Sequence, residues 1–281
     1  MEIAPLIHSR TLYWDFNPNF AVRPNDLNVQ WATSKIIPAM KDADILNGVR
    51  RLVAFNGTTG IAGVACNFRF FVQNYLSADE QTEAEKYIHD ERGRELKIFL
   101  GYVFKGNGVP DISYSDLWKM FKEKLAPEWE YKTFNTVISP YQNCGVKNVG
   151  SQISPAENIN GVEIYETNEN SDVEVFEKCL AGHKDFCSNV DDVRIFENGA
   201  YSVISAPQNI INRLKSEAQK KTSPSQVQPT QNTKPTKQAH TIQQARQDTN
   251  RRPPETKSSS TLLMISVIVL IVIIAAVWFV M

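Results

Sequence analysis

The chain contains 281 residues, of which 42% are hydrophobic and 22% are charged, with 13 glycines and 14 prolines. This composition lies in the globular range, which excludes a wholly disordered chain and a collagen-like one. The net charge of -1 conceals an uneven distribution, because residues 1–212 carry 20 basic and 28 acidic side chains, residues 213–260 carry 10 and 3, and residues 261–281 carry none. The sequence therefore predicts an acidic body, a basic linker and an apolar C-terminal segment.

Strand-like runs dominate the first part of the body. Residues 10–16 and 51–55 alternate in polarity or are rich in aromatic and β-branched side chains, which favours strands. The second run is followed by glycines and then by residues 61–72, so we expect a hairpin with a long returning strand that carries Phe68 and its aromatic neighbours. Residues 96–104 form a further apolar run of strand length.

Helical patterns lie between and after these runs. Ser77 and Glu80 have the spacing of a capping box at the start of a charged segment. In residues 115–125, Leu117 and Phe121 recur on one helical face, which predicts an amphipathic helix.

The second part of the body is sparser. Asn198-Gly199 lies between two apolar runs and predicts a type I′ hairpin turn. The other predicted elements are strands at 162–165, 193–196 and 201–205 and helices at 173–180 and 210–221. The mixture predicts an α+β fold with a mostly antiparallel sheet and a few packed helices over residues 1–212, with a candidate subdivision near residues 139–161.

Two thiols and an imidazole recur at intervals of four residues, at Cys179, His183 and Cys187. On a continuous helix they would share one face, which is the basis of a zinc hypothesis. Cys144 or Asp185 would supply the fourth ligand, but neither has a diagnostic spacing. A small cysteine buried on a helix face is the commoner outcome, so we expect no metal at this segment.

No catalytic constellation is visible in the body. Cys66 would form a nucleophilic pair with one of several histidines only if the fold brought the two together, and no motif surrounds it. The three glycines between Gly57 and Gly63 precede a strand and no lysine follows them, so they do not predict a phosphate-binding loop. We therefore expect no cofactor, and the enzyme hypothesis stays second.

Aromatic residues are concentrated in the body, and most of them must be core. Trp129 and Tyr131 are flanked by Glu128, Glu130 and Lys132 just after a helix end, which suggests a rim. Trp and Tyr are typical of binding hot spots. We therefore predict that this pair contributes to a partner-binding surface, with ordinary packing as the alternative.

The linker at 213–260 is basic and is rich in Ser, Thr, Gln and Pro. From about residue 220 onward it lacks aromatic residues and cannot bury enough apolar area to offset its ordering entropy, which predicts a disordered tether. Its lysines and arginines favour contact with anionic lipid. Nucleic-acid binding is not expected, because the charges are scattered and no stacking residue accompanies them.

Residues 261–281 have the properties of a membrane anchor. As a helix this segment would be about 31 Å long, close to the thickness of a bilayer's hydrocarbon core. Fourteen of its residues are Leu, Ile, Val or Phe. Arg251, Arg252 and Lys257 precede it, which places the body on the cytoplasmic side, and the beginning of the chain lacks the pattern of an export signal. In arrangement the chain resembles tail-anchored membrane proteins.

These features predict a single-pass, membrane-tethered protein whose cytosolic body binds a protein partner and acts as an adaptor, sensor or recruiter. A membrane-anchored enzyme or nucleotide sensor with an irregular site is the first alternative. A membrane-disrupting effector acting through its apolar tail is the second.

Overall fold

Thirteen strands and six α-helices form the regular structure of the described part of the chain. The structure is a computed structural model, and it describes residues 1–41, 48–133, 135–149, 153–191 and 200–222. The strands are β1 (Glu2–Ser9), β2 (Val22–Arg23), β3 (Val49–Asn56), β4 (Thr59–Asn67), β5 (Lys97–Lys105), β6 (Val109–Pro110), β7 (Val137–Ile138), β8 (Gln142–Asn143), β9 (Val146–Lys147), β10 (Glu157–Ile159), β11 (Val162–Glu166), β12 (Phe186–Cys187) and β13 (Val203–Ala206). The helices are α1 (Val29–Met40), α2 (Phe68–Tyr75), α3 (Ala78–Ala84), α4 (Tyr114–Lys124), α5 (Glu169–Ala181) and α6 (Gln208–Thr222). The fold is α+β, as predicted.

The main sheet is mixed. Its strand order is β10-β11-β13-β12-β3-β4-β5-β1-β2-β7, and β8 also pairs with β1. The prediction of a mostly antiparallel sheet is wrong, because β13 is parallel to both β11 and β12, and β2 is parallel to β7. Helix α5 connects β11 to β12 as a crossover, which lets the chain return in the same direction. Strands β6 and β9 form a separate antiparallel pair.

The predicted hairpin is present between β3 and β4. Asn56 pairs with Thr59 across a two-residue loop, and Gly57 in that loop has φ of +62°, a conformation that glycine adopts without steric cost. The returning strand is shorter than predicted. It ends at Asn67, whose side chain accepts a hydrogen bond from the Arg69 N–H at 2.9 Å and thereby begins α2.

The strand predicted at 10–16 is also wrong. The first strand is β1, which pairs with β5 along its whole length. After it, the Thr11 N–H donates to the Trp14 carbonyl at 3.0 Å, which closes a turn where the strand was expected. Alternating polarity did not distinguish a strand from an aromatic turn at this position.

The helix signals in the sequence are confirmed. Ser77 forms a capping box with Glu80 at the start of α3, and Ser113 forms another with Asp116 at the start of α4. Helices α4, α5 and α6 cover the three segments for which the sequence predicts helices in the second half of the body.

Helices cover both faces of the sheet. Alternate side chains of β3 separate into two groups. Leu52 and Ala54 pack with residues of α1 and α6 on one face. Val49 and Val53 lie on the other face. Val49 belongs to the cluster of α2 and α4, and Val53 belongs to the cluster of α5. The boundary between these last two clusters lies over the centre of the sheet.

Several predictions concern residues outside the described part. They are the strand at 193–196, the Asn198-Gly199 turn, the tether beyond residue 222 and the anchor at 261–281. The predicted end of the body at residue 212 lies inside α6. Among the described helices, none is both long and apolar enough to span a bilayer.

Candidate functional site

A cavity of about 160 Å³ lies between α4 and α5, above the centre of the sheet. Its floor includes Ala62 and Val64 of β4, and Tyr102 of β5 lies beside them. Ala62 is paired with Tyr102 in the sheet, and its small side chain leaves the space above it unfilled. Most of the remaining wall is apolar, formed by Ile112, Leu117, Val173, Phe176 and Leu180.

Helices α4 and α5 each begin at a capping residue and pack into different apolar clusters. At the start of α4, the Ser113 hydroxyl donates to Asp116 at 2.6 Å and accepts from the Asp116 N–H at 3.2 Å. At the start of α5, the Asn168 side chain accepts from the Ser171 N–H at 2.8 Å. These caps fix where each helix begins, and each helix packs into a separate apolar cluster. The cavity is the gap that remains between the clusters.

Arg51 supplies the charge of the cavity. It lies on β3, is only 5% exposed, and belongs to the cavity wall. Its Nη2 donates to the Tyr114 hydroxyl at 2.6 Å, and its guanidinium lies 5.9 Å from the centre of the same ring. Within the described ranges, no carboxylate forms an ion pair with it. A buried guanidinium is therefore left with one neutral hydrogen-bond partner.

The neighbouring Arg50, in contrast, forms several hydrogen bonds and an ion pair. Its side chain is on the other face of the sheet, where Nε donates to the Asn189 carbonyl at 3.1 Å and Nη1 donates to the carbonyls of Ala39 and Lys41. Nη2 forms an ion pair with Asp191. Arg50 thus ties the end of α1 to the segment after β12. All three of its guanidinium nitrogens bond to the protein, whereas Arg51 has one side-chain hydrogen bond among the described residues, from Nη2 to Tyr114.

A buried carboxyl group lies near Arg51 without pairing with it. Asp172 is 3% exposed, and its Oδ1 has no hydrogen-bond partner among the described residues. Burial raises the pKa of Asp172 to about 6, although hydrogen bonding to Ser205 and the charge of Arg51 act in the opposite direction. The carboxyl group therefore changes its charge close to neutral pH.

Two tyrosines connect Arg51 to the surface. The rings of Tyr75 and Tyr114 stack with their centres 3.9 Å apart, and the Tyr75 hydroxyl donates to Glu169 at 3.2 Å. Burial raises the pKa of Tyr114, so its hydroxyl keeps its proton. The Tyr114 hydroxyl accepts from Arg51 and also interacts with the Tyr75 hydroxyl, so a chain of polar contacts runs from Arg51 through the two tyrosines to Glu169.

The other two charged side chains of the cavity wall neutralise each other. Lys147 of β9 and Glu177 of α5 both belong to the wall, and their side chains form an ion pair at 2.5 Å. Among the described side chains of the cavity wall, the charge that has no ion-pair partner is therefore that of Arg51.

The structure does not bring the zinc candidates together. Helix α5 ends at Ala181, and His183 has φ of +53° and stacks on Phe55 with ring centres 4.8 Å apart. Cys179 packs in the cluster beneath α5, whereas Cys187 packs in the cluster on the opposite face of the sheet. Burial raises the pKa of each thiol to about 12. Among the described residues, no group of three or more ligating side chains has metal-site geometry.

The predicted partner-binding pair is divided between core and surface. Trp129 is only 2% exposed and meets the Tyr87 ring edge-on with ring centres 5.4 Å apart, so its predicted position on a rim is wrong. The short 3-10 turn at Ala126–Glu128 directs it inward after α4. Tyr131 is 57% exposed. Trp14, which is 46% exposed, donates from Nε1 to the Lys132 carbonyl at 2.5 Å beside it.

Sequence reasoning did not identify Arg51. Two consecutive arginines in an otherwise apolar strand were the available signal, because arginine is almost never fully buried without a partner. Alternation along a strand would then have placed the two on opposite faces.

Comparison with protein families, with curated proteins and with solved structures finds no match for this chain. The chemistry of the cavity therefore has to be inferred from its own residues. Those residues offer a cation, a phenolic hydroxyl and an apolar wall, which is a typical combination for binding a small organic anion.

Proposed function

We propose that this protein is a membrane-tethered sensor whose body binds a small anionic molecule in the cavity between α4 and α5. One observation carries the proposal: Arg51 is buried at the wall of an apolar cavity and has no carboxylate partner within the described residues. Burying an unpaired charge is costly. A ligand that supplies the missing negative charge would offset that cost.

The tether and anchor belong to the same proposal. The uncharged, apolar residues 261–281 are long enough to span a bilayer as a helix. The basic segment before them favours a cytoplasmic body and contact with anionic lipid. Binding in the body would then report on a soluble molecule close to the membrane surface.

Ligand binding is tested by thermal unfolding of the full chain in lipid nanodiscs, with a panel of small anionic, neutral and cationic compounds. A ligand at one hundred times its Kd should stabilise the folded state by about 2.7 kcal/mol. Ala62→Leu should abolish that stabilisation, because the larger side chain fills the floor of the cavity. Ala78→Leu, on the exposed first turn of α3, is the matched control. The sensor proposal fails if no compound stabilises the wild type or if both variants respond alike.

Membrane attachment is tested separately. Deletion of residues 261–281 should release the protein from the membrane fraction at moderate salt. Protease admitted to the cytosolic side should cleave between residues 223 and 260, while protease added outside intact cells should not. Membrane association of the deleted chain, or cleavage from outside, would contradict the proposed anchor or its orientation.

A second candidate function is recruitment of a protein partner, which the exposed aromatic pair Trp14 and Tyr131 favours. These side chains are 46% and 57% exposed, and Trp14 donates to the carbonyl of Lys132, the residue that follows Tyr131. Exposed Trp and Tyr are frequent hot spots of protein interfaces. Loss of a specific partner in the Tyr131→Ala variant of the full chain, with unchanged thermal unfolding, would support this function.

A further inference from the structure

We propose that the ligand of this cavity is a monocarboxylate that carries an apolar body of about six carbon atoms. The inference rests on the proposed function and specifies its ligand. The carboxylate would lie against Arg51 and Tyr114, and the apolar body would occupy the space above Ala62 between α4 and α5.

The charge of the cavity favours a monoanion. Among the described residues of the cavity wall, Arg51 is the cation without an ion-pair partner, since Lys147 is paired with Glu177. One carboxylate neutralises one guanidinium. A phosphate with two charges would leave one negative charge uncompensated beside apolar side chains, which costs several kcal/mol.

The donor geometry favours a carboxylate. A guanidinium presents its N–H groups in a planar fork that matches the two oxygens of a carboxylate. In Arg51, the Tyr114 hydroxyl occupies one donor on Nη2. The hydroxyl thereby orients the guanidinium, and the remaining N–H groups of the fork can donate to the ligand.

The size and the lining of the cavity define the rest of the molecule. Its volume is about 160 Å³, and in another protein an apolar cavity of about 150 Å³ binds benzene. The side chains that would surround the ligand body are Val64, Ile112, Leu117, Val173 and Phe176. A benzoate-sized or hexanoate-sized molecule fits this description, whereas a sugar or a nucleotide is too polar for an apolar wall.

Isothermal calorimetry on the full chain in lipid nanodiscs tests the ligand class. Benzoate and hexanoate should bind, and benzamide, which has the same shape without the charge, should bind about tenfold more weakly because charge-assisted hydrogen bonds are the stronger ones. Inorganic phosphate should not bind. Equal affinity for benzoate and benzamide would overturn recognition of the negative charge, in the ligand class and in the proposed function alike. Absence of binding by benzoate and hexanoate, with stabilisation by another anion of the thermal panel, would overturn the ligand class alone.

Variants locate the binding. Arg51→Met should reduce benzoate affinity at least tenfold, and Tyr114→Phe, which keeps the ring but removes the hydroxyl that orients the Arg51 guanidinium, should reduce it severalfold. Lys119→Met removes an equally charged side chain on the exposed side of α4 and should have no effect. If Arg51→Met does not fold, Tyr114→Phe and Ala62→Leu provide the test. Unchanged benzoate binding in Tyr114→Phe and Ala62→Leu would overturn the assignment to this cavity.

The carboxylate has two plausible chemical sources, a free organic acid and the C-terminus of a peptide. A tetrapeptide that ends in phenylalanine and its C-terminally amidated form distinguish them. Binding of benzoate but not of the peptide indicates a free acid. Tighter binding of the peptide than of benzoate, lost on amidation, indicates a chain terminus. Equal binding of the free and the amidated peptide would contradict carboxylate recognition.

Discussion

Arg50 and Arg51 are consecutive in β3, yet their guanidinium groups lie on opposite faces of the sheet, and within the described ranges only Arg50 forms an ion pair with a carboxylate. Arg50 joins the end of α1 to Asn189 and Asp191. Arg51 belongs to the wall of a cavity and is bonded to the Tyr114 hydroxyl. One arginine therefore serves the fold, and the other has donors available for a ligand.

This contrast predicts opposite effects on stability. Arg50→Met should lower the free energy of unfolding by about 3 kcal/mol or more, because it leaves a carboxylate and three carbonyls without their donor. Arg51→Met should change it by less than about 1 kcal/mol or raise it, because it removes a buried charge without a counterion. Chemical denaturation of both variants without ligand measures the difference. A larger loss for Arg51→Met than for Arg50→Met would contradict the division of roles.

Asp172 predicts a stability change with pH. Its folded pKa of about 6 is higher than its unfolded value of 3.8, so the folded state holds the proton more tightly and stability falls as pH rises from about 4 to 6. The penalty at neutral pH is about 3 kcal/mol. Asp172→Asn should therefore be more stable than the wild type at pH 7.5 and similar at pH 4, as measured by thermal unfolding. A less stable variant at pH 7.5 would mean that the ionised carboxylate serves as a counterion for Arg51.

His8 predicts a change of the opposite sign. It is 3% exposed between Phe16 and Phe20, and neither ring nitrogen has a partner among the residues described. Burial lowers its pKa from 6.5 to about 4. The contribution of neutral His8 to stability is therefore complete above pH 6.5, and about 3 kcal/mol of it is lost as pH falls towards 4. His8→Leu should lose less stability than the wild type over this range, and an equal loss in both would contradict the prediction.

The division between Trp129 and Tyr131 is testable with two substitutions. Trp129→Ala should destabilise the body by about 3 to 5 kcal/mol, because it removes a large side chain from the cluster that contains Tyr87. Tyr131→Ala should change stability by no more than about 0.5 kcal/mol, because the side chain is 57% exposed. Denaturation curves of the two variants decide the matter. Similar losses in both would mean that Tyr131 has structural contacts beyond those described.

The parts of the fold that could be predicted from the sequence are those that depend on a few neighbouring residues. The turn at Gly57 and the capping box at Ser77 depend on neighbouring atoms alone, and both are present. Phe68 was assigned to a strand because short apolar runs fit a strand and a buried helix equally well. The parallel pairing of β13 depends on the path of the chain between distant strands, which no local pattern encodes.

The candidate site could not be predicted for the same reason. The cavity exists because α4 and α5 pack into different clusters above Ala62, and this arrangement depends on three segments far apart in the sequence. Of the site residues, only Arg51 had a signal in the sequence, as one of two consecutive arginines in an apolar strand. The even spacing of Cys179, His183 and Cys187 was misleading, because α5 ends at Ala181 and places the two thiols on opposite faces of the sheet.

The most direct measurement is a crystal structure of the full chain grown with 4-bromobenzoate, with the bromine located by its anomalous scattering. We expect the carboxylate oxygens to lie about 2.7 to 2.9 Å from the Arg51 guanidinium nitrogens and the bromine to lie between α4 and α5 above Ala62. Bromobenzoate bound elsewhere on the protein, or a cavity without ligand at a saturating concentration, would contradict the assignment of this cavity as a carboxylate-binding site.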